Sequence, residues 1–310
     1  MSDDISKNAV PERIDDGLDF LEAEVLVEDR AFGSVYPVLQ WVNGKASQKK
    51  AGDVSFTGGF FISAEQGIEI PGFAPHTLIT NDGTEVEGFS SRDVDLSVVR
   101  IRKSWSVTPK EGGGLSQRYG YDEFEDAQAS GDPRGSTHIL VCVNGMKEPL
   151  MLATSGYTAR ALAAAGQGRD RGIIPRYSGK VITAANRLAK RGGRSTQYPL
   201  CAFSLKVGPK RDEKGIPLFD EVGTKQKSPV TLPVWLDEPK AVDTDYLKVS
   251  YVGNEMFAAY QAIHQEADEW VSSWDSEALS ALRNRGKKAE VAQPVVEGES
   301  ALPGAEAMPF

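Results

Sequence analysis

Residues 96–107, LSVVRIRKSWSV, decide the architecture. Val, Ile and Trp crowd a short run in which apolar and polar positions largely alternate, the mark of a strand with two unlike faces. Comparable runs precede it: FLEAEVLV at 20–27, VYPVLQWV at 35–42, SFTGGFFI at 55–62, HTLIT at 76–80 and TEVEGF at 84–89. Two more follow, HILVCV at 138–143 and EPLMLA at 148–153. All read as strands. Asn43-Gly44 and Asp82-Gly83 supply the positive backbone dihedrals of tight hairpins, and Asn144-Gly145 joins the last pair. Gly58-Gly59 points to a bulge or a close backbone contact. The first hundred residues therefore predict a strongly curved antiparallel sheet.

Helical signals are fewer. Thr154 or Ser155 caps a helix over 155–165, and VITAANRLAKRGG at 181–193 is a second, stopped by Gly192-Gly193. YPLCAFSLKVG (198–208) and SPVTLPVWL (228–236) return to strand character. Over 254–274, Met256, Phe257, Tyr260, Ile263, Ala267, Trp270 and Trp274 recur at helical spacing, so that helix docks one face on the core. Residues 109–133, with three consecutive glycines and the acids Asp122, Glu123, Glu125 and Asp126, read as a long loop and a possible sub-boundary. The class is mostly β, α+β in detail. Residues 1–17 read as a flexible acidic leader, 18–275 as the core, and 276–310 as a disordered linker and acidic tail.

Composition narrows the function. The chain has 310 residues, 40% hydrophobic and 25% charged, the balance of a soluble globular protein. It contains no apolar run long enough to span a bilayer and no basic, apolar start of a secretory signal, so a cytoplasmic location is expected. Cys142 and Cys201 stand in the apolar runs ILVCV and YPLCAF and read as core. His76, His138 and His264 lie on separate elements without metal-ligand spacing, and neither a P-loop nor a GxSxG elbow occurs. No cofactor or metal is expected, and no catalysis.

Charge is distributed unevenly. Residues 150–211 hold twelve cations against one acid, Asp170, a net of +11. The total is −9, so the remainder carries −20. The cations include Arg160, Arg169, Arg171, Arg176, Lys180, Arg187, Lys190, Arg191 and Arg194, with Tyr157, Tyr177 and Tyr198 among them. Cations neutralise phosphates and rings stack on bases, so the mixture suits a single-stranded nucleic acid. Arg100, Arg102, Lys103 and Trp105 on one strand, with Trp41, are further candidates for a groove wall. The competing account is a solvated cationic face whose arginines pair with acids elsewhere. An enzymatic alternative is a metal-dependent nuclease using the period-2 carboxylates Glu85 with Glu87 and Asp93 with Asp95. A non-enzymatic structural protein of a phage or complex is a third class.

The end of the chain carries Glu290, Glu297, Glu299 and Glu306 and closes with Met308, Pro309 and Phe310. Over Glu306, Met308, Pro309 and Phe310 it resembles the C-terminal tip of bacterial and phage single-stranded DNA-binding proteins, with Ala305 and Ala307 where acids are usual. That resemblance implies an elaborated oligonucleotide-binding-type barrel and a tip that recruits replication or recombination proteins. A terminal Phe presents a ring and a carboxylate together, which a partner pocket with a basic rim can hold. The expected partners are thus single-stranded DNA and those proteins, without a membrane; assembly into an oligomer is left open.

Overall fold

The computed structural model describes residues 36–43, 58–79, 84–109, 117–120, 123–164, 171–193, 197–222 and 228–272. The strand expected at 20–27, the 1–17 leader and the 276–310 tail lie outside the described residues. In chain order the elements are β1 (Val38–Trp41), β2 (Phe60–Ser63), β3 (Ala74–Ile79), β4 (Glu85–Ser91), β5 (Val94–Pro109) and β6 (Gln117–Gly120). Then come α1 (Phe124–Ser130), β7 (Gly131–Val143), β8 (Leu150–Ser155), α2 (Gly156–Ala163), α3 (Ile173–Tyr177) and α4 (Thr183–Arg191). The chain continues through β9 (Leu205–Pro209), β10 (Asp220–Val222), β11 (Ser228–Val230) and β12 (Pro233–Trp235). It closes with α5 (Thr244–Ser250), α6 (Asn254–Glu266) and α7 (Asp268–Ser272).

Ten strands form one sheet in the order β12-β9-β5-β7-β8-β1-β2-β4-β3, with β6 on the far half of β5; β10 and β11 pair separately. Neighbours are antiparallel except β1 with β8, which run parallel. β5 is the spine. It pairs with β7 along most of its length, with β9 near its start and with β6 near its end. One bulge interrupts the β5/β7 register between Val98 and Arg100, leaving Val99 as the extra residue. This explains the Val-Val doublet: Val98 packs on one side of the sheet and Val99 on the other.

Both faces are covered. On the first, Leu39, Phe60, Ile62, Leu96, Val98, Ile139, Val141 and Leu152 meet Leu162 of α2, Ile173, Ile174 and Tyr177 of α3, and Ala185 of α4. On the second, Val99, Leu140, Cys142, Met151 and Cys201 meet Tyr260 of α6 and Trp270 of α7. Strands buried on both sides lose their alternation, which is why ILVCV and LMLA are continuous apolar runs. TEVEGF lies near a sheet edge and keeps it. The C-terminal helical face carries Met256, Phe257, Tyr260, Ile263, Ala267 and Trp270 as expected, although it breaks at Ala267 into α6 and α7; Trp274 lies outside the described residues.

The sheet is strongly curved, and no closed barrel forms among the described residues. Its coiling brings the β1–β2 corner against β9 and β12. Trp41 Nε1 donates to Thr231 O at 2.8 Å. Gly58 has φ +67°, and a Cβ there would stand 2.9 Å from Pro209 Cβ. The glycine pair thus marks a close backbone approach. At 143–146, Asn144 and Gly145 take φ 48° and 77°, and Met146 N donates to Val143 O at 2.9 Å.

The 109–133 segment corrects one expectation. It is no plain loop: β6 and α1 occupy part of it, and β7 already begins at Gly131, opposite Pro109. The glycines and acids gave it a loop's composition, but Trp105 and Val107 bury against Ala127 of α1 and Phe124 packs on them. Residues 198–208 also differ, since a 3-10 turn at Leu200–Ala202 precedes β9.

Gly88 of β4 lies where an added Cβ would overlap the Ile62 carbonyl oxygen and the Phe61 ring. Gly88→Ala is expected to cost about 1–3 kcal/mol, as overpacking does. Urea denaturation measures it; an unchanged midpoint would contradict the tight β2–β4 approach.

Candidate nucleic-acid interface

The basic segment is built on α2, α3 and α4. A π-helical turn, Ser178–Ile182, joins α3 to α4 into one rod. Tyr177, Val181, Ala185 and Ala189 are buried at successive four-residue steps. Such steps drift around an ideal 3.6-residue helix, and the wider π turn absorbs part of the drift. The opposite face is left to Lys180, Arg187, Lys190 and Arg191, all exposed. Lys190 and Arg191 also complement the negative end of the α4 dipole.

The expected cations separate into two groups. Arg176 and Lys180 both pair with Glu238, at 2.8 and 2.7 Å, and Lys180 Nζ lies 5.7 Å from the Trp235 ring centroid. Arg100 pairs with Asp268 and donates from Nε to His264 O at 3.1 Å. Arg102 is 7% exposed, donates to Trp270 O at 2.7 Å and lies 3.9 Å over the Trp270 ring. Burial pulls its pKa down to about 9. These two arginines clamp the C-terminal helices to β5 and do not line a groove. Lys103 is half-buried. Arg160, Arg171, Arg187, Lys190 and Arg191 are exposed and make no ion pair among the described residues. Arg169 and Arg194 lie outside the described residues, as do Glu306, Met308, Pro309 and Phe310.

The aromatic expectations need correction. Tyr177 is 0% exposed, donates its hydroxyl to Ser204 O at 2.8 Å and packs edge-on against Trp235. Its pKa is raised by burial. Trp41 packs on Phe60 and Trp105 on Phe124, both buried. None of these rings has a face for a base, because each fills a gap between the sheet and its covering elements. Tyr157 is half-buried at the start of α2.

Tyr198 is half-buried and held to α4 through its backbone: its N–H donates to Asn186 Oδ1 at 2.6 Å. Around it stand Phe203, Tyr251 and Phe257, with ring centroids 5.6, 6.3 and 6.3 Å away. Sequence reasoning placed Phe257 on the docking stripe and Phe203 among the aromatics interleaved with the cations, and passed over Tyr251. Tyr251 and Phe257 come from a segment more than fifty residues away and carry no local signal beyond the helical stripe.

The paired carboxylates are not gathered. Glu85 and Glu87 are exposed on β4, whereas Asp93 accepts from both terminal nitrogens of Arg211. No cluster of His, Cys, Asp and Glu able to hold a metal occurs among the described residues. No helix among the described residues is long and apolar enough to cross a membrane. Comparison with protein-family models, curated proteins and solved structures gives no match.

Both thiols are core. Burial pushes Cys142 up to about 12 and Cys201 up to about 11, from an ordinary 9.0. The unfolded chain ionises them first, so their stabilising contribution is complete below pH 9.0 and declines as pH rises toward those values. A thiol-specific disulfide reagent at pH ~8 is expected to label neither cysteine until the protein is denatured. Rapid labelling of the native protein would contradict their burial.

Proposed function

We propose that this protein binds single-stranded DNA with little sequence preference, protects it, and recruits replication or recombination proteins through its C-terminal tip. It acts in the cytoplasm by binding, without catalysis. One observation carries the reading: in a chain of net charge −9, the outer face of α4 keeps Arg187, Lys190 and Arg191 exposed and outside any ion pair among the described residues. Arg160 on α2 and Arg171 before α3 add to it, and α2 packs against α3. Unpaired surface cations concentrated on one helix attract a polyanion even when the mean charge is negative. Tyr157 and Tyr198 are the expected stacking residues that keep partial exposure.

In this reading the curved ten-stranded sheet stands in for an elaborated oligonucleotide-binding barrel. The acidic tail, with its terminal Phe310, serves as bait for partner proteins and as a competitor for the cationic surface. The nuclease alternative has less support, because the Asp93 carboxylate is already engaged by Arg211. A purely structural role predicts no salt-sensitive affinity for nucleic acid.

With about five phosphates neutralised, the log–log salt slope for oligo-dT should be roughly −3 to −4. Replacing Arg187, Lys190 and Arg191 together by alanine should reduce its magnitude by about 2. A slope near zero in the native protein refutes the reading. Glu238→Gln releases two cations and should strengthen binding; weaker binding would count against the cationic surface. Deleting residues 308–310 should abolish capture of replication partners while leaving DNA binding equal or stronger, and weakened DNA binding would contradict the role given to the tail.

A further inference from the structure

We propose that Tyr198, Tyr251 and Phe257 form a base-stacking platform, so that the C-terminal helical segment shares in holding unpaired nucleotides. The proposal rests on the single-strand reading above and adds a binding site to it. Phe203, 4% exposed, is the floor of the cluster; Tyr198, Tyr251 and Phe257 pack on the same core and are each half-buried. Tyr251 lies 5.7 Å from Phe203 and 6.4 Å from Phe257, in edge-on or tilted arrangements that leave ring faces turned in different directions. Partly exposed aromatic side chains gathered at one place can offer area to a ligand's bases while they pack on the core.

The cluster is also held in place. Asn186 accepts from Tyr198 N and donates to Tyr198 O at 3.4 Å, fixing that residue against α4. Tyr251 donates its hydroxyl to Asn254 Oδ1 at 2.8 Å, and its backbone N–H donates to Leu247 O at 3.0 Å. Prearranged rings cost little conformational entropy when a ligand docks.

Charge selects the occupant. Lys190 follows Asn186 by one helical turn on the same side of α4, and exposed Arg187 adjoins it. On α6 the nearby acid Glu255 is occupied by Lys147 at 2.7 Å. Rings for bases beside cations for phosphates are the needs of a single strand, whose bases are free of a duplex stack.

The test uses the full-length protein with two probes of equal length, fluorescent oligo-dT and an abasic oligomer with the same phosphates. The native protein should prefer oligo-dT by about 5- to 100-fold. Tyr251→Leu and Phe257→Leu, which keep apolar volume without a ring, should lose most of that preference with affinity for the abasic oligomer unchanged; Tyr251→Phe should retain it. Oligo-dT carrying 5-iododeoxyuridine should photocrosslink to Tyr198, Tyr251 or Phe257 in the unaltered protein, which needs no variant to fold. If oligo-dT binds and its preference survives both leucine variants, or crosslinks map only elsewhere, the platform is overturned and the single-strand reading stands. If neither probe binds at any salt concentration, the single-strand reading itself fails.

Discussion

A strand buried on both faces can hold its place only if apolar groups cover both, and β5, β7 and β8 live under that constraint. Ile139, Val141, Leu150 and Leu152 face one core while Leu140, Cys142 and Met151 face the other. Where both faces are covered the strand backbone leaves water, and the ladders to its neighbours satisfy its polar groups. The Val98–Arg100 bulge lets β5 serve both sides. It places Val99 in the second core, beside the arginine clamp on α6 and α7. Two helical layers follow from this: α2 to α4 on one side and α6 to α7 on the other.

The same packing decides which charges are available. Acids contributed by distant segments neutralise part of the basic stretch: Glu238 takes Arg176 and Lys180, and Asp93 takes Arg211. Asp268 takes Arg100 of the spine. Helix α4 escapes this neutralisation because its inner face is spent on the core and no acidic element among the described residues packs on its outer face. The surface field is therefore set by the placement of charges and not by their total.

Much of this was legible. β1, β2, β4, β5, β7 and β8 follow from runs of Val, Ile, Phe and Trp, and the C-terminal amphipathic stripe docks as its spacing requires. Misreadings came where composition and periodicity disagreed. The glycines and acids of 109–133 concealed β6 and α1, whose cover depends on Trp105 and Val107 of a distant strand. Tyr177 sits between cations in sequence and reads there as a stacking residue, but its helical spacing from Ile173, Ile174 and Val181 puts it on the buried face. The Glu238, Asp93 and Asp268 pairings, and the ring cluster around Tyr198, join segments far apart in the chain. No local pattern announces such contacts.

The central claim is that the exposed face of α4 engages single strands in an acidic protein. Hydrogen–deuterium exchange on the full-length chain, with and without oligo-dT at low salt, tests it most directly. The account predicts slowed exchange over residues 183–193 and around Tyr198, with no slowing in the edge strand β3 and its neighbour β4. Slowing confined to other surfaces, or an unchanged α4 while oligo-dT is bound, would contradict it.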